Sequence, residues 1–149
     1  MKIDWTIKKF AELTPFELYN IIWLRNQVFV VEQNCVFQDA DHKDEASIHI
    51  YGNDENGKIV AYARIVPPGM IYPEASIGRV VTNPDCRKYG AGRELMARTM
   101  AFINKNYKTP VRIGAQLYLK AFYEGFGFLQ VGDIYLEDGI EHIIMLKSA

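Results

Sequence analysis

The chain has 149 residues, 49% of them hydrophobic and 13% aromatic, which is enough to bury one sizeable core and too apolar for a disordered segment. A formal net charge of −1 supplies no global basic field and argues against nucleic acid as a partner. No apolar run approaches the ~20 residues of a membrane span, the N-terminus lacks a signal-peptide pattern, and Cys35 and Cys86 form no CxxC pair or disulfide framework, so the expectation is a single domain over residues 1–149 in a reduced, cytoplasmic compartment.

In chain order, Lys2 to Ile7 alternates apolar Ile3, Trp5 and Ile7 with polar neighbours, the period of a strand. Thr14-Pro15-Phe16-Glu17 then opens a helix. Thr14 can cap, Pro15 suits the first helical position and Glu17 completes a capping box. Leu18, Ile21, Ile22, Arg25 and Phe29 continue at helical spacing, Leu24 and Val28 widen the apolar face, and the helix ends near Val30 or Val31. Glu32 to Glu45 is polar and irregular. Its Asp39-x-Asp41 start fails as a calcium loop, because Asp44 holds the sixth position where glycine is needed and Ile50 the twelfth, and no metal is expected. Two readings of the loop stand: a solvated segment with Asp41 or Asp44 capping a turn, or an acidic rim that attracts an amine. Ser47 to Tyr51 and Lys58 to Val66 form a hairpin across Asn53 to Gly57, with Ile59, Ala61, Ala63 and Ile65 on one face and Tyr62 and Arg64 on the other. Pro67-Pro68-Gly69 ends it.

Ile77 to Val81 is β-branched and apolar enough for an interior strand, and Asn83-Pro84-Asp85 breaks it. Arg87-Lys88-Tyr89-Gly90-Ala91-Gly92 runs directly into Arg93-Glu94-Leu95-Met96, where a helix begins. Two glycines permit a tight turn and close approach to a ligand. The first helical N–H groups lack intrahelical partners and carry the positive end of the dipole, so the stretch has the physics of a diphosphate cradle. It is not a Walker loop, because Gly92 precedes Arg93-Glu94. Nor is it a dinucleotide fingerprint, which needs a third glycine. Leu95, Met96, Thr99, Met100, Phe102 and Ile103 share one arc of the following helix and read as core.

Val111 to Ala115 is the next strand, Leu119 to Phe126 a short helix closed by Gly127, and Leu129 to Leu136 with Ile140 to Leu146 a final hairpin turned at Glu137-Asp138-Gly139. A strand-helix-strand crossover in the middle requires a local parallel pair inside a mixed sheet. The fold class is therefore α/β (or α+β), with a mixed central sheet flanked by helices on both faces.

The R-x-x-G-x-G loop after a strand resembles the acyl-CoA-binding loop of the GNAT superfamily of N-acyltransferases. Phe122-Tyr123-Glu124-Gly125-Phe126-Gly127-Phe128, in the correct order behind it, resembles the family's F-Y-x-x-x-G-F segment. Leu24 to Cys35, Asp39, Asp41, Ile77-Gly78-Arg79-Val80, Gly114-Ala115-Gln116 and Asp138-Gly139-Ile140 with His142 look like the ElaA-type branch. The loop departs from many relatives in carrying Lys88-Tyr89 where they have a glycine and a basic residue.

The resemblance implies a GNAT fold whose strands splay at the acyl-CoA site and a transfer of an acetyl group from acetyl-CoA to a primary amine. Val80, Val81 and Thr82 would pair through their backbone with the pantetheine arm. Arg87, Lys88, Tyr89, Gly90, Ala91, Gly92 and Arg93 would hold the pyrophosphate, while Leu119, Phe122 and Tyr123 would flank the thioester and the adenine side. Tyr123 matches the general acid, a phenol of pKa ~10 beside a thiolate of similar basicity. Glu32 is the carboxylate placed for the base. His49 and His142 read as structural histidines, Arg64 and Arg79 either orient an acidic acceptor or pair with nearby carboxylates, and an acyl-Cys35 intermediate is the lesser alternative to direct attack. Other functions on the same fold are a non-catalytic acyl-CoA-binding module and a regulatory domain. Related folds pair through edge strands, so a homodimer is among the expected partners.

Overall fold

The computed structural model describes residues Met1–Ala149. Seven strands and three α-helices follow in the order β1 (Asp4–Lys9), α1 (Pro15–Arg25), β2 (Ile48–Asn53), β3 (Ile59–Val66), β4 (Ser76–Thr82), α2 (Ala91–Asn106), β5 (Val111–Gln116), α3 (Lys120–Glu124), β6 (Leu129–Glu137) and β7 (Ile140–Lys147). The first strand begins two residues later than its alternation suggests. Pairing with all six residues of β2, from Asp4 opposite Asn53 to Lys9 opposite Ile48, carries it through Lys8 and Lys9.

The strands form two antiparallel sheets, β1-β2-β3-β4 and β5-β7-β6. The expected parallel pair between β4 and β5 exists as a single bridge, Ala75 to Val111, with the Arg112 N–H donating to the Ala75 carbonyl at 3.0 Å. Beyond that bridge the two facing edges part. The splay has a local cause on β4: Tyr62 pairs with Val81 and Arg64 with Gly78, so one extra residue is inserted, and Arg79 takes φ +52° to absorb it. A bulge bends and twists the strand that carries it.

Two clusters hold the layers together. Ala61, Ala63 and Ile65 of β3 meet Leu95, Met96 and Ile103 of α2 on one face. On the other face, Ile21 and Leu24 of α1 pack on Tyr51, Tyr62 and Val81. Ile59, expected on the alanine face, belongs instead to the Tyr62 cluster, because a bulge at Gly52/Asn53 shifts the β2–β3 register by one. Such a slip moves a side chain to the opposite face.

Thr14 caps α1 as its sequence requires, its hydroxyl accepting from the Glu17 N–H while Glu17 accepts from the Thr14 N–H. The helix then widens into a π-turn over Asn26–Glu32, where β-branched Val28, Val30 and Val31 crowd a tight α-turn. No helix is long and apolar enough to cross a membrane.

Candidate active site

The parted edges of β4 and β5 enclose a groove of about 610 Å³. Ile77 to Thr82 form one wall and Ile113 to Gln116 the other, with Phe122 and Tyr123 of α3 closing one end. β4 pairs only with β3 over this stretch, so the backbone of Val80, Val81 and Thr82 faces the groove without a neighbouring strand. Unpaired strand backbone at a cavity is a template for an extended ligand.

Below β4, Asn83 accepts a hydrogen bond from the Asp85 N–H at 3.0 Å and Pro84 opens a 3-10 turn that runs to Tyr89. Gly90 follows at φ +76°, a conformation costly for any residue with a Cβ, and caps α2. The Glu94 N–H reaches back to the Gly90 carbonyl, so the N–H groups of Ala91, Gly92 and Arg93 open outward without intrahelical acceptors. A Cβ on Gly92 would meet Phe122 at 3.7 Å and Thr82 at 3.9 Å, ordinary contact distances. Protein packing alone therefore does not require glycine there. Ala91 is buried against Val60 and Cys86, leaving only its N–H for a ligand. Lys88, Tyr89 and Arg93 are exposed around the loop, with the Lys88 ammonium 5.4 Å from the Tyr89 ring.

Tyr123 is 6% exposed and packs edge-on against Phe122 and Phe128. Burial, with Tyr118 nearby, pushes its phenol above the ordinary value, so the proton is held tightly. Leu119 and Phe122 are half-buried in the same wall.

Glu32 does not line this groove. It sits at the mouth, and both of its oxygens are taken by Arg87, at 2.6 and 2.8 Å. Those hydrogen bonds hold its carboxyl below the usual range, and a carboxylate so held is a poor proton acceptor. The expected base and the expected phosphate ligand are thus partners of each other.

The loop after the π-turn exposes about half of its residues to solvent, but its aspartates do not form a free acidic rim. Asp39 and Asp44 are buried, and the aspartates are neutralised by Arg25, Arg64 and Arg79. Arg25 donates from Nε to Asp39 at 2.8 Å and from Nη1 to Asp44 at 2.9 Å; Arg64 grips both oxygens of Asp41. Arg79 Nε lies 2.9 Å from Asp39 Oδ1 but off the line of its N–H, an ion-pair contact rather than a hydrogen bond. One part of the expectation survives: Asp41 accepts from the Lys43 N–H and turns the chain.

His49 belongs to this network. Its Nε2 lies 2.8 Å from the Asp44 carbonyl, which can only accept, so Nε2 carries the proton and Nδ1 accepts from the Tyr62 hydroxyl at 2.6 Å.

Sequence reasoning gave no role to Gln33 and Gln116, which the fold brings into the groove together with Cys35 and His142. Gln33, past the π-turn, and Gln116, at the end of β5, exchange amide hydrogen bonds at 3.1 and 3.2 Å across its mouth. Cys35 is buried and donates to the Asp138 carbonyl at 3.4 Å, docking the loop on the last hairpin. His142 on β7, the register partner of Gln116, lines the same groove. Gln33 and Gln116 are separated by 83 positions, so only the fold makes them neighbours.

A family profile described as "Acetyltransferase (GNAT) domain" matches residues 25–149. Protein ElaA of Escherichia coli (strain K12) is 40% identical over 149 residues, spanning 98% of this chain and 97% of that protein. Its crystal structure superposes with a TM-score of 0.91, covering 99% of this chain and 100% of that one. A UPF0039 protein of Synechocystis sp. is 41% identical over 147 residues, 98% of this chain and 96% of its own. The crystal structure of an acyl-CoA N-acyltransferase from Pseudomonas aeruginosa matches at a TM-score of 0.93 with 39% identity, over 99% of this chain and 100% of that one.

Proposed function

The chain belongs to the GNAT acetyltransferase family, whose members use acyl-CoA, and we propose that it moves an acetyl group from acetyl-CoA to a primary amine by direct attack, with Tyr123 as general acid. The observation that carries this reading is the splayed β4–β5 groove, with a buried phenol in one wall and an open helix N-terminus beside it.

Acetyl-CoA supplies the thioester carbonyl and the thiol leaving group. On the protein side, the backbone of Val80, Val81 and Thr82 pairs with the extended arm. Arg87, Lys88 and Arg93, together with the N–H groups from Gly90 to Gly92, meet the diphosphate; Tyr89 shields it, and Ala91 contributes backbone only. Leu119 and Phe122 cover the apolar part. As the amine nitrogen bonds to the carbonyl carbon and the C–S bond breaks, Tyr123 Oη gives its proton to the departing thiolate. A phenol kept protonated by burial suits that task, because the proton leaves only when a strong base forms beside it.

Replacing Tyr123 by Phe keeps the packing and removes the proton. Turnover is expected to fall on the order of 10²-fold with acetyl-CoA affinity unchanged. Full turnover in that variant would remove Tyr123 from the chemistry, whereas a parent that binds acetyl-CoA but releases no thiol with any amine would make the acyl-CoA-binding module the better reading. The reaction is placed in the cytoplasm, where Cys35 and Cys86 stay reduced. A homodimer would use β6, an edge strand that exposes Leu129, Ile134 and Leu136; sedimentation of the parent and a Leu136→Lys variant tests it, and a monomeric parent refutes it.

A further inference from the structure

With Glu32 bound to Arg87, the groove holds another group able to take the amine's proton, and it is His142. The ring is 6% exposed and lines the same groove as Tyr123. Its Nδ1 lies 2.7 Å from the Ile140 carbonyl. A carbonyl oxygen only accepts, so Nδ1 carries the hydrogen and donates it. In the neutral ring that leaves Nε2 as the acceptor, and no donor of the protein fills it. The nearest group is Glu137 Oε2 at 3.4 Å, a carboxylate with no hydrogen to give.

The surroundings hold the ring in this pose. Tyr135 of β6 packs on it with its ring tilted, 5.8 Å between centroids, and Gln116 of β5 lies beside it in register. Cys35, Arg79 and Asp41 line the same groove. Arg79 and Asp41 are paired with each other, which leaves Glu137 as the charge in contact with the ring. Glu137 Oε2 thus faces the nitrogen at which a proton would arrive. His49 offers the contrast, since both of its nitrogens are engaged by the protein.

We propose that His142 is the general base of the transfer, accepting the amine's proton at Nε2 while Tyr123 protonates the thiolate from the other side, with Glu137 as its positioning residue. The proposal rests on the acetyltransferase reading above. The balance closes: the N–C bond forms, the C–S bond breaks, one proton passes from nitrogen to Nε2, and one passes from Tyr123 to sulfur. Solvent returns the proton from His142 to Tyr123 between turnovers.

Two measurements test it. Nitrogen-15 spectra of the imidazoles in the free protein report the tautomer without any acceptor, and Nδ1–H is expected for His142; an Nε2–H tautomer overturns the proposal outright. Thiol release from acetyl-CoA is then followed against pH with 1,4-diaminobutane and with glycinamide, in the parent and in His142→Asn. The Asn amide can still donate to the Ile140 carbonyl, so the local tie survives while the base is lost. In the variant, kcat/KM for the amine is expected to fall on the order of 10²-fold, with the acetyl-CoA Kd unchanged. A variant that keeps the parent's profile overturns the assignment while leaving the acetyltransferase reading intact. A parent that neither binds acetyl-CoA nor releases thiol overturns both.

Discussion

The sequence marks Arg87 as a candidate phosphate ligand by its place ahead of two glycines, and Tyr123 as a candidate acid by its place in an F-Y-x-x-x-G-F segment. Their partners were not legible. Glu32 and Arg87 are separated by 55 positions, and so local pattern says nothing of their meeting. Because the pair is exposed, releasing it changes energies by ~0–1 kcal/mol. If the diphosphate must draw Arg87 away from Glu32, Glu32→Gln is expected to tighten acetyl-CoA binding about two- to fivefold and to leave kcat near the parent's. A collapse of kcat in that variant, read from initial rates, would return the base to Glu32. The aspartates of residues 39–44 carry the same lesson. Read alone they are an acidic loop, but the arginines that neutralise them come from α1, β3 and β4.

At the level of elements, periodicity and caps located every strand and helix, while the irregularities that make the site had no such signal. The β4 bulge and the bulge at Gly52/Asn53 are settled by the pairing of strands. The α2 N-terminus is the exception, announced by its glycines. Those glycines serve different ends, and substitution separates them. Gly90 sits at φ +76°, so alanine there strains the backbone by ~1–2 kcal/mol. Gly92 is within the first helical turn and has room for a Cβ. Gly92→Ala is therefore expected to leave Tm unchanged or slightly raised while weakening acetyl-CoA binding at least about tenfold, as a methyl group blocks the helix end. Equal losses of Tm and affinity, compared by thermal melts and titration, would mean that the glycine serves the fold alone.

For the whole molecule, two antiparallel sheets joined by one parallel bridge leave an open seam, and the charged network pins the loop that covers one end of it. Its pH response follows from the signs of its shifts. Burial holds His49 below its ordinary 6.5, so the unfolded chain binds its proton first and stability falls as pH drops below 6.5. Burial alone would raise Asp41 and Asp44, but hydrogen bonds from Arg64 and from Arg25 outweigh it and hold both below 3.8. Glu17 also overcomes its burial, lowered from 4.5 to about 2 by the Thr14 N–H, Tyr51 and Lys8. Depressed carboxyls stabilise above their unfolded values, and that contribution drains away as pH falls from 4.5 towards 2. Urea melts between pH 8 and 3 are expected to show two successive losses, with the first absent in His49→Gln; a single loss below 4.5 would contradict the place given to His49. The claim on which all else depends is that the seam is an acyl-CoA site. Calorimetric titration with acetyl-CoA, of the parent and of the Arg87→Ala/Gly90→Ala double variant, tests it most directly. The parent is expected to bind at one site per chain and the double variant to lose that heat while remaining folded. A folded parent that gives no heat of binding would contradict the account and leave the fold without its chemistry.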